Sequence, residues 1–417
     1  MDLNARLDIM NWLAGAGLSG VAETELVREF CERTRAAGLE LSRGLVFIDT
    51  LHPVFEGQGF RWSDIESNES DAFEYRSTSE GEAAENWQRS PFYTMLQTGE
   101  NEMRISHTDE HYNMTAKLIG DGHRHFATFI HRFGDTGIIG EMDCVYSLWG
   151  MRRDHGFDET AMGAMRDLVP LLGLAVKSAA HARIARTVGH VYLGRDAADR
   201  VLSGRMSRGV ADRINAVLWF SDLRGSTAIG ESIDPGEFIP FLNDYAGAAI
   251  GAIHDEGGDV LKLIGDGVLA IFREDDLTAA RRAALRAENR LRMSIETLNQ
   301  RRSAENRVTT TAYVALHVGE VFYGNIGSDE RLDFTVVGPA VNEVSRIASM
   351  CRTVEREFLV SSAFLDGLGS SEKRHFVSTG RYALRGIGRA QDLYTLDPAI
   401  RAEGHAASPF EPYLQNR

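Results

Sequence analysis

The chain has 417 residues, 45 Lys+Arg against 60 Asp+Glu, and a net charge of −15 at an isoelectric point near 5.4. That length excludes a single small domain and leaves room for two or three. The acidic balance excludes a nucleic-acid backbone or an anionic membrane as the main partner, since both repel a protein of the same sign. At 43% hydrophobic with only 9 Pro, the composition is that of a chain with a sizeable core.

The N-terminus, MDLNARLDIMNWLAG, has neither a basic stretch nor a continuous apolar one, so a signal peptide is not expected. The longest apolar run, LVPLLGLAV from Leu168 to Val176, is about half of what a bilayer-spanning helix requires. Three scattered cysteines, Cys31, Cys144 and Cys351, read as free thiols in a reducing cytoplasm.

Residues 1–180 alternate helical stretches, such as Glu23 to Ala37, with strand-like runs GLVFID, HFATFIHRF and CVYSLWGM. A helix is expected to begin near the cap Asp158 and to carry apolar positions Met162, Met165, Leu168, Leu172 and Val176, kinked at Pro170. The plan of this part resembles a GAF-like sensor domain, which implies an unknown small-molecule or ionic effector. Six of the 13 histidines fall between His107 and His155, with His107 and His111 spaced one helical turn apart and His123 beside His125. Without further ligands at a recognisable spacing they are expected on a solvated polar surface rather than around a metal. Residues 181–211, which thin in apolar content and gain small and charged residues, are expected to form a helical linker.

Chemistry-bearing motifs begin after that segment. AVLWFSD, residues 216–222, is a buried-strand run that ends in Asp222. Gly225, Ser226 and Thr227 then open a helix whose free N–H groups can donate to phosphate oxygens, although Asp222 read alone is better taken as a helix cap. DVLKLIGDGVLAIF, residues 259–272, reads as a hairpin with Asp266 at its tip, ordinary turn chemistry in isolation. Two carboxylates beside a phosphate-accepting loop, however, can hold two Mg²⁺ ions. Lys262 lies inside an otherwise apolar strand, where it needs a partner or must reach solvent. In RLDFTVVGPAVNEVSRIASM a strand bearing Thr335 gives way at Gly338 to a helix that sets Asn342 and Arg346 four residues apart, on one face.

Together with ALHVGEVFYGNIGS and a closing RGIGRAQDLYTL, these motifs resemble, over about residues 212–397, the catalytic domain of class III adenylyl and guanylyl cyclases. The resemblance implies a ferredoxin-like α/β sandwich acting as a head-to-tail homodimer, with residues 398–417 as a tail. It implies that Asp222, Asp266 and the carbonyl of Leu223 bind two Mg²⁺ or Mn²⁺ ions per active site. Lys262 and Thr335 of the other protomer would meet the base, Asn342 the ribose and Arg346 the α-phosphate. A lysine donor with a threonine acceptor matches adenine and makes ATP the expected substrate, with cyclic AMP and pyrophosphate as products. The pair resembles the class IIIb subset, some of whose members respond to bicarbonate. Guanylyl cyclase activity and a catalytically silent nucleotide-binding domain are the alternatives. Ile387 departs from the family pattern, standing where a triphosphate-binding lysine is common, with Arg385 and Arg389 nearby.

Overall fold

A computed structural model of the chain describes residues 1–398 except 66–69, 110–111, 135–141, 206, 208 and 210. His111 and the tail beyond residue 398 lie outside the described residues. The architecture is mixed α/β in two units, Met1–Val188 and Gly189 onward.

In the first unit, helices α1 (Leu3–Ser19) and α2 (Glu23–Ala36) precede strands β1 (Arg43–Asp49), β2 (Gly57–Ser63) and β3 (Ala72–Tyr75). Helices α3 (Gly81–Gln88) and α4 (Pro91–Thr98), strand β4 (Glu102–Ser106), helix α5 (Asn113–Gly120), strands β5 (His125–Arg132) and β6 (Cys144–Met151), and helix α6 (Glu159–Leu193) follow. The strands form one antiparallel sheet in the order β3-β2-β1-β6-β5-β4. β6 is buried throughout, because α1, α2 and α6 cover one face of the sheet and α4 and α5 the other. Asp158 accepts the backbone N–H of Ala161 at 2.7 Å at the start of α6, which then runs unbroken through Pro170. By length and mean hydropathy α6 could span a bilayer, yet Met165, Leu168, Leu172 and Val176 are spent on the core of its own unit.

The histidine expectation is corrected in one respect. His123 is 2% exposed rather than solvated, its Nδ1–H donating to the Leu118 carbonyl at 3.0 Å, and burial lowers its pKa. β5 and its flanks face the core, a placement that the polar sequence around it does not announce. Among the described residues no group of three or more His, Cys, Asp or Glu side chains could hold a metal ion.

The second unit begins with the end of α6 and helix α7 (Arg195–Leu202), followed by strand β7 (Ala211–Leu223), helices α8 (Ser226–Ser232) and α9 (Pro235–Asp255), and the hairpin β8 (Asp259–Ile264) and β9 (Gly267–Phe272). Helix α10 (Leu277–Ala304), strands β10 (Ala312–Gly327) and β11 (Leu332–Val337), helix α11 (Pro339–Thr353), strand β12 (Phe358–Ser361), helices α12 (Ser362–Asp366) and α13 (Ser370–Lys373), and strands β13 (Phe376–Tyr382) and β14 (Gln391–Leu396) complete it. The sheet order is β13-β14-β12-β10-β7-β9-β8, with β11 paired to β10. Central strand β7 alternates between two cores. Val217 and Trp219 face α9 and α10, while Ala216 and Leu218 face α11 and α7. Helices α9, α10 and α11 meet the sheet with apolar stripes at helical spacing, such as Ala340, Val344, Ile347, Ala348 and Cys351 on α11.

The stretch expected as a linker is helical to Leu202 apart from Gly194, and its α7 half packs on the sheet. Ala197 and Ala198 are buried, and Asp196 accepts from Tyr323 Oη at 2.7 Å and pairs with Arg273 at 2.9 Å and Arg200 at 2.8 Å. Burial alone would raise the Asp196 pKa, but the hydrogen bonds from Tyr323 and Arg273 and the charge of Arg200 outweigh it and hold the pKa below its ordinary value.

β10 and α11 approach closely at Gly319, where an added Cβ would stand 2.5 Å from that of Ala340. Gly319→Ala is therefore expected to force the helix off the strand and to destabilise the unit by about 1–3 kcal/mol, read as a lower denaturation midpoint.

Candidate active site

Asp222 sits near the end of β7, whose pairing with β9 places Ser221 opposite Val268. The β8–β9 hairpin closes with Ile264 opposite Gly267, so its two-residue turn is Gly265-Asp266. The turn has its positive φ, 63°, at Gly265, the first central position, and leaves Asp266 free to project towards β7. Asp222 and Asp266 thereby come within hydrogen-bonding reach of each other.

Burial, then the facing Asp266 carboxylate, raise the pKa of Asp222 to about 6, offset by the backbone N–H of Leu223. That N–H also donates to Asp266 Oδ2 at 3.2 Å. Because N–H and C=O of one strand residue point to the same neighbour, the Leu223 carbonyl lies on the same side. Two carboxylates and a carbonyl are hard oxygen donors of the kind that bind Mg²⁺ or Mn²⁺, and such sites are completed by substrate phosphates and water rather than by a full protein cage. Gly225 caps α8 directly afterwards, and the first N–H groups of that helix, at Ser226 and Thr227, have no acceptor within the helix.

A second group lies on β8 and β11. Lys262, 49% exposed at its side chain, forms an ion pair with Asp333, and Thr335 stands two residues further along the same face of β11. Sequence reasoning passed over Asp333, although its i,i+2 spacing from Thr335 was a usable signal. A third group is on α11. Gly338, φ 150°, ends β11, and Pro339 starts the helix at its first turn. Asn342 and Arg346 are then exposed one turn apart, and among the described residues neither side chain has a protein partner. Among the described residues no hydrogen bond or ion pair joins the carboxylate pair to Lys262, Thr335, Asn342 or Arg346. Ile387 packs against the cluster that holds Leu384 and Leu393, while Arg385 and Arg389 are exposed.

Behind α11 lies a buried polar network absent from the sequence reading. His317 on β10 is 5% exposed, with Nδ1 2.8 Å from Ser361 Oγ and Nε2 3.3 Å from Glu343. Gln391 Nε2 donates to the same Glu343 oxygen at 3.2 Å. Glu343 adjoins Asn342, so this network ties the exposed face of α11 to strands β10, β12 and β14.

Residues 211–397 match the family model described as the adenylate and guanylate cyclase catalytic domain. An adenylate cyclase of Anabaena cylindrica is 29% identical over 196 residues, 46% of this chain and 37% of that protein. A terminal-differentiation-specific adenylate cyclase of Dictyostelium discoideum is 30% identical over 201 residues, 48% of this chain and 9% of that protein. The chain thus spans well under half the length of these relatives. The crystal structure of the adenylyl cyclase CyaB from P. aeruginosa aligns at 24% identity and a TM-score of 0.41, over 45% of this chain and 96% of that one.

Burial lowers the pKa of His317 from its ordinary 6.5 to about 4. Between those values the unfolded chain binds a proton that the folded chain refuses, so this residue makes stability fall as pH falls through that window. Glu343, whose pKa burial raises, acts in the opposite sense. Unfolding midpoints of His317→Gln, compared with the unsubstituted chain from about pH 7 to about pH 4.5, are expected to shift in the variant's favour as the pH falls.

Proposed function

We propose, from the premise that residues 211–397 are a class III adenylyl/guanylyl cyclase catalytic domain, that the protein converts ATP to 3′,5′-cyclic AMP and pyrophosphate. The observation that carries this reading is the pairing of Asp222 with Asp266 beside the start of α8. Asp222, Asp266 and the Leu223 carbonyl would hold two Mg²⁺ or Mn²⁺ ions, which supply neutralisation of phosphate charge and a lowered pKa of the ribose 3′-hydroxyl.

In this reading the Ser226 and Thr227 N–H groups donate to phosphate oxygens. Lys262 donates to adenine N1, and the Thr335 hydroxyl accepts from the exocyclic amine. Asn342 orients the ribose, so that the 3′-oxygen is in line with the α-phosphorus. The new bond forms from that oxygen, the bond to pyrophosphate breaks, and Arg346 meets the negative charge that grows on the α-phosphate.

Two features support a homodimer. Among the described residues no hydrogen bond or ion pair links the carboxylate pair to Lys262, Thr335 or Arg346, and a second copy would complete the site. Around Lys262 the strands also expose apolar side chains, Leu263 at 53%, Ile264 at 48%, Phe322 at 46% and Val337 at 42%. A strip of this kind is what an isologous interface covers. The first unit, with its own core and joined through α6, fits a sensor that regulates the dimer, and its GAF-like character belongs to this proposal.

The test is cyclic nucleotide production by the full chain from ATP and from GTP, in Mg²⁺ and in Mn²⁺. Cyclic AMP is expected to dominate and to vanish in Asp222→Ala; dominant cyclic GMP would favour the guanylyl alternative, for which the Thr335 hydroxyl can turn donor. Arg346→Ala is expected to lower kcat on the order of 10² to 10³-fold with a much smaller change in KM, since its partner charge develops only in the transition state.

A further inference from the structure

We propose that Glu343 is a positioning residue for cyclisation, which sets through the roll of α11 where Asn342 and Arg346 stand; the inference rests on the cyclase reading above. α11 meets the sheet through its apolar stripe of Ala340, Val344, Ile347, Ala348 and Cys351, and Asn342 and Arg346 lie on the opposite, exposed face. At about 100° per residue, Glu343 falls on the flank between those two faces. An apolar stripe holds a helix onto a sheet, but the attraction is non-directional and opposes a small roll about the helix axis only weakly. A directional contact on the flank fixes that roll.

Glu343 supplies the contact. Its Oε2 accepts from Gln391 Nε2 at 3.2 Å and stands 3.3 Å from His317 Nε2, so one carboxylate oxygen is held between β14 and β10. Both anchors are themselves fixed. β14 pairs with β12, Leu393 opposite Ser361, and Ser361 Oγ accepts the backbone N–H of Phe364 at 3.2 Å as the cap of α12. The Ser361 hydroxyl is also 2.8 Å from His317 Nδ1. With Ser361 donating its O–H to Nδ1, the neutral imidazole carries its own proton on Nε2, aimed at the Glu343 carboxylate. The opposite tautomer would set the Nε2 lone pair against that carboxylate. The imidazole is buried and bonded at both ends, which keeps it from rotating away.

A small roll has a large effect at the exposed face. Side chains reach about 6 Å from a helix axis, so a roll of about 10° moves the outer surface by about 1 Å. A displacement of about 1 Å at a reacting centre can cost on the order of 10² in rate. In the proposed reaction Asn342 and Arg346 meet the ribose and the α-phosphate, and both ride on α11. Lys262, Thr335, Asp222 and Asp266 lie on strands and a turn outside α11, so the base and metal contacts do not move with the roll. Glu343 therefore acts on the chemical step more than on nucleotide affinity.

The experiment uses the full chain with Glu343→Ala, Glu343→Gln or Gln391→Ala, and Glu343→Ala combined with Arg346→Ala. Steady-state cyclisation of ATP gives kcat and KM, and displacement of a fluorescent ATP analogue gives affinity. Glu343→Ala is expected to lower kcat about 10- to 100-fold while ATP affinity changes less than about threefold. Glu343→Gln, which keeps an oxygen acceptor for His317 and Gln391, is expected to recover most of kcat, and Gln391→Ala to lower it about threefold. With Arg346 already removed, Glu343→Ala is expected to cost much less than it does alone, because the two residues act as a unit. A loss of affinity with kcat intact, an equal cost with and without Arg346, or a Gln variant as impaired as the Ala variant would each overturn the role. Should Glu343→Ala fail to fold, Gln391→Ala decides, and an unchanged kcat there overturns the role. An unsubstituted chain that binds the analogue yet makes no cyclic nucleotide overturns the cyclase reading and this role together, whereas an active chain indifferent to these substitutions overturns this role alone.

Discussion

Strand β7 is covered on both faces and paired on both edges, and the geometry of the catalytic unit descends from that confinement. Its side chains alternate into two cores, so a slip of one residue against β9 or β10 would exchange Trp219 for Leu218 between environments that do not fit them. The register is thereby fixed. Because Ser221 must face Val268, the tip of the β8–β9 hairpin must arrive beside the end of β7, and Asp266 meets Asp222. The core thus holds together two carboxylates that would separate in water, and burial first, then the facing Asp266 carboxylate, raise the pKa of Asp222.

The same confinement positions α11. β10 presents Gly319 to Ala340 and His317 to Glu343, so the helix is held at one point by close approach and at another by a buried polar network. Asn342 and Arg346 gain their placement from contacts made on the far side of the helix, by residues that touch no nucleotide in the proposed reaction. Helix α7 is bound to the sheet by comparable means, with Asp196 shared among Tyr323, Arg273 and Arg200. Arg273 also pairs with Asp259 at 3.0 Å, at the start of the strand that bears Lys262.

Much of the secondary structure was legible in the chain. CVYSLWGM is β6, and AVLWFSD lies within β7, because an apolar run bounded by polar residues is a local pattern with a local cause. Strand-turn-strand and strand-helix junctions were legible for the same reason, down to Gly338-Pro339. His123 was misread as solvated, since its polar neighbours in sequence say nothing of the core faced by the strand that follows it. The docking of α7 was missed because its charged residues resemble those of a solvated connector until Tyr323 and Arg273 are brought to them from far along the chain.

By itself, then, the sequence determined the elements and the residue types capable of phosphoryl chemistry, because these depend on periodicity, turn chemistry and motif order within short windows. Tertiary structure decided which of those residues meet. That Asp222 faces Asp266, that Lys262 pairs with Asp333, and that His317 lies beneath the Asn342 face of α11 are outcomes of sheet register and two-sided packing. Such contacts join residues tens of positions apart, and their geometry follows from how whole strands and helices share a core, which no local window contains.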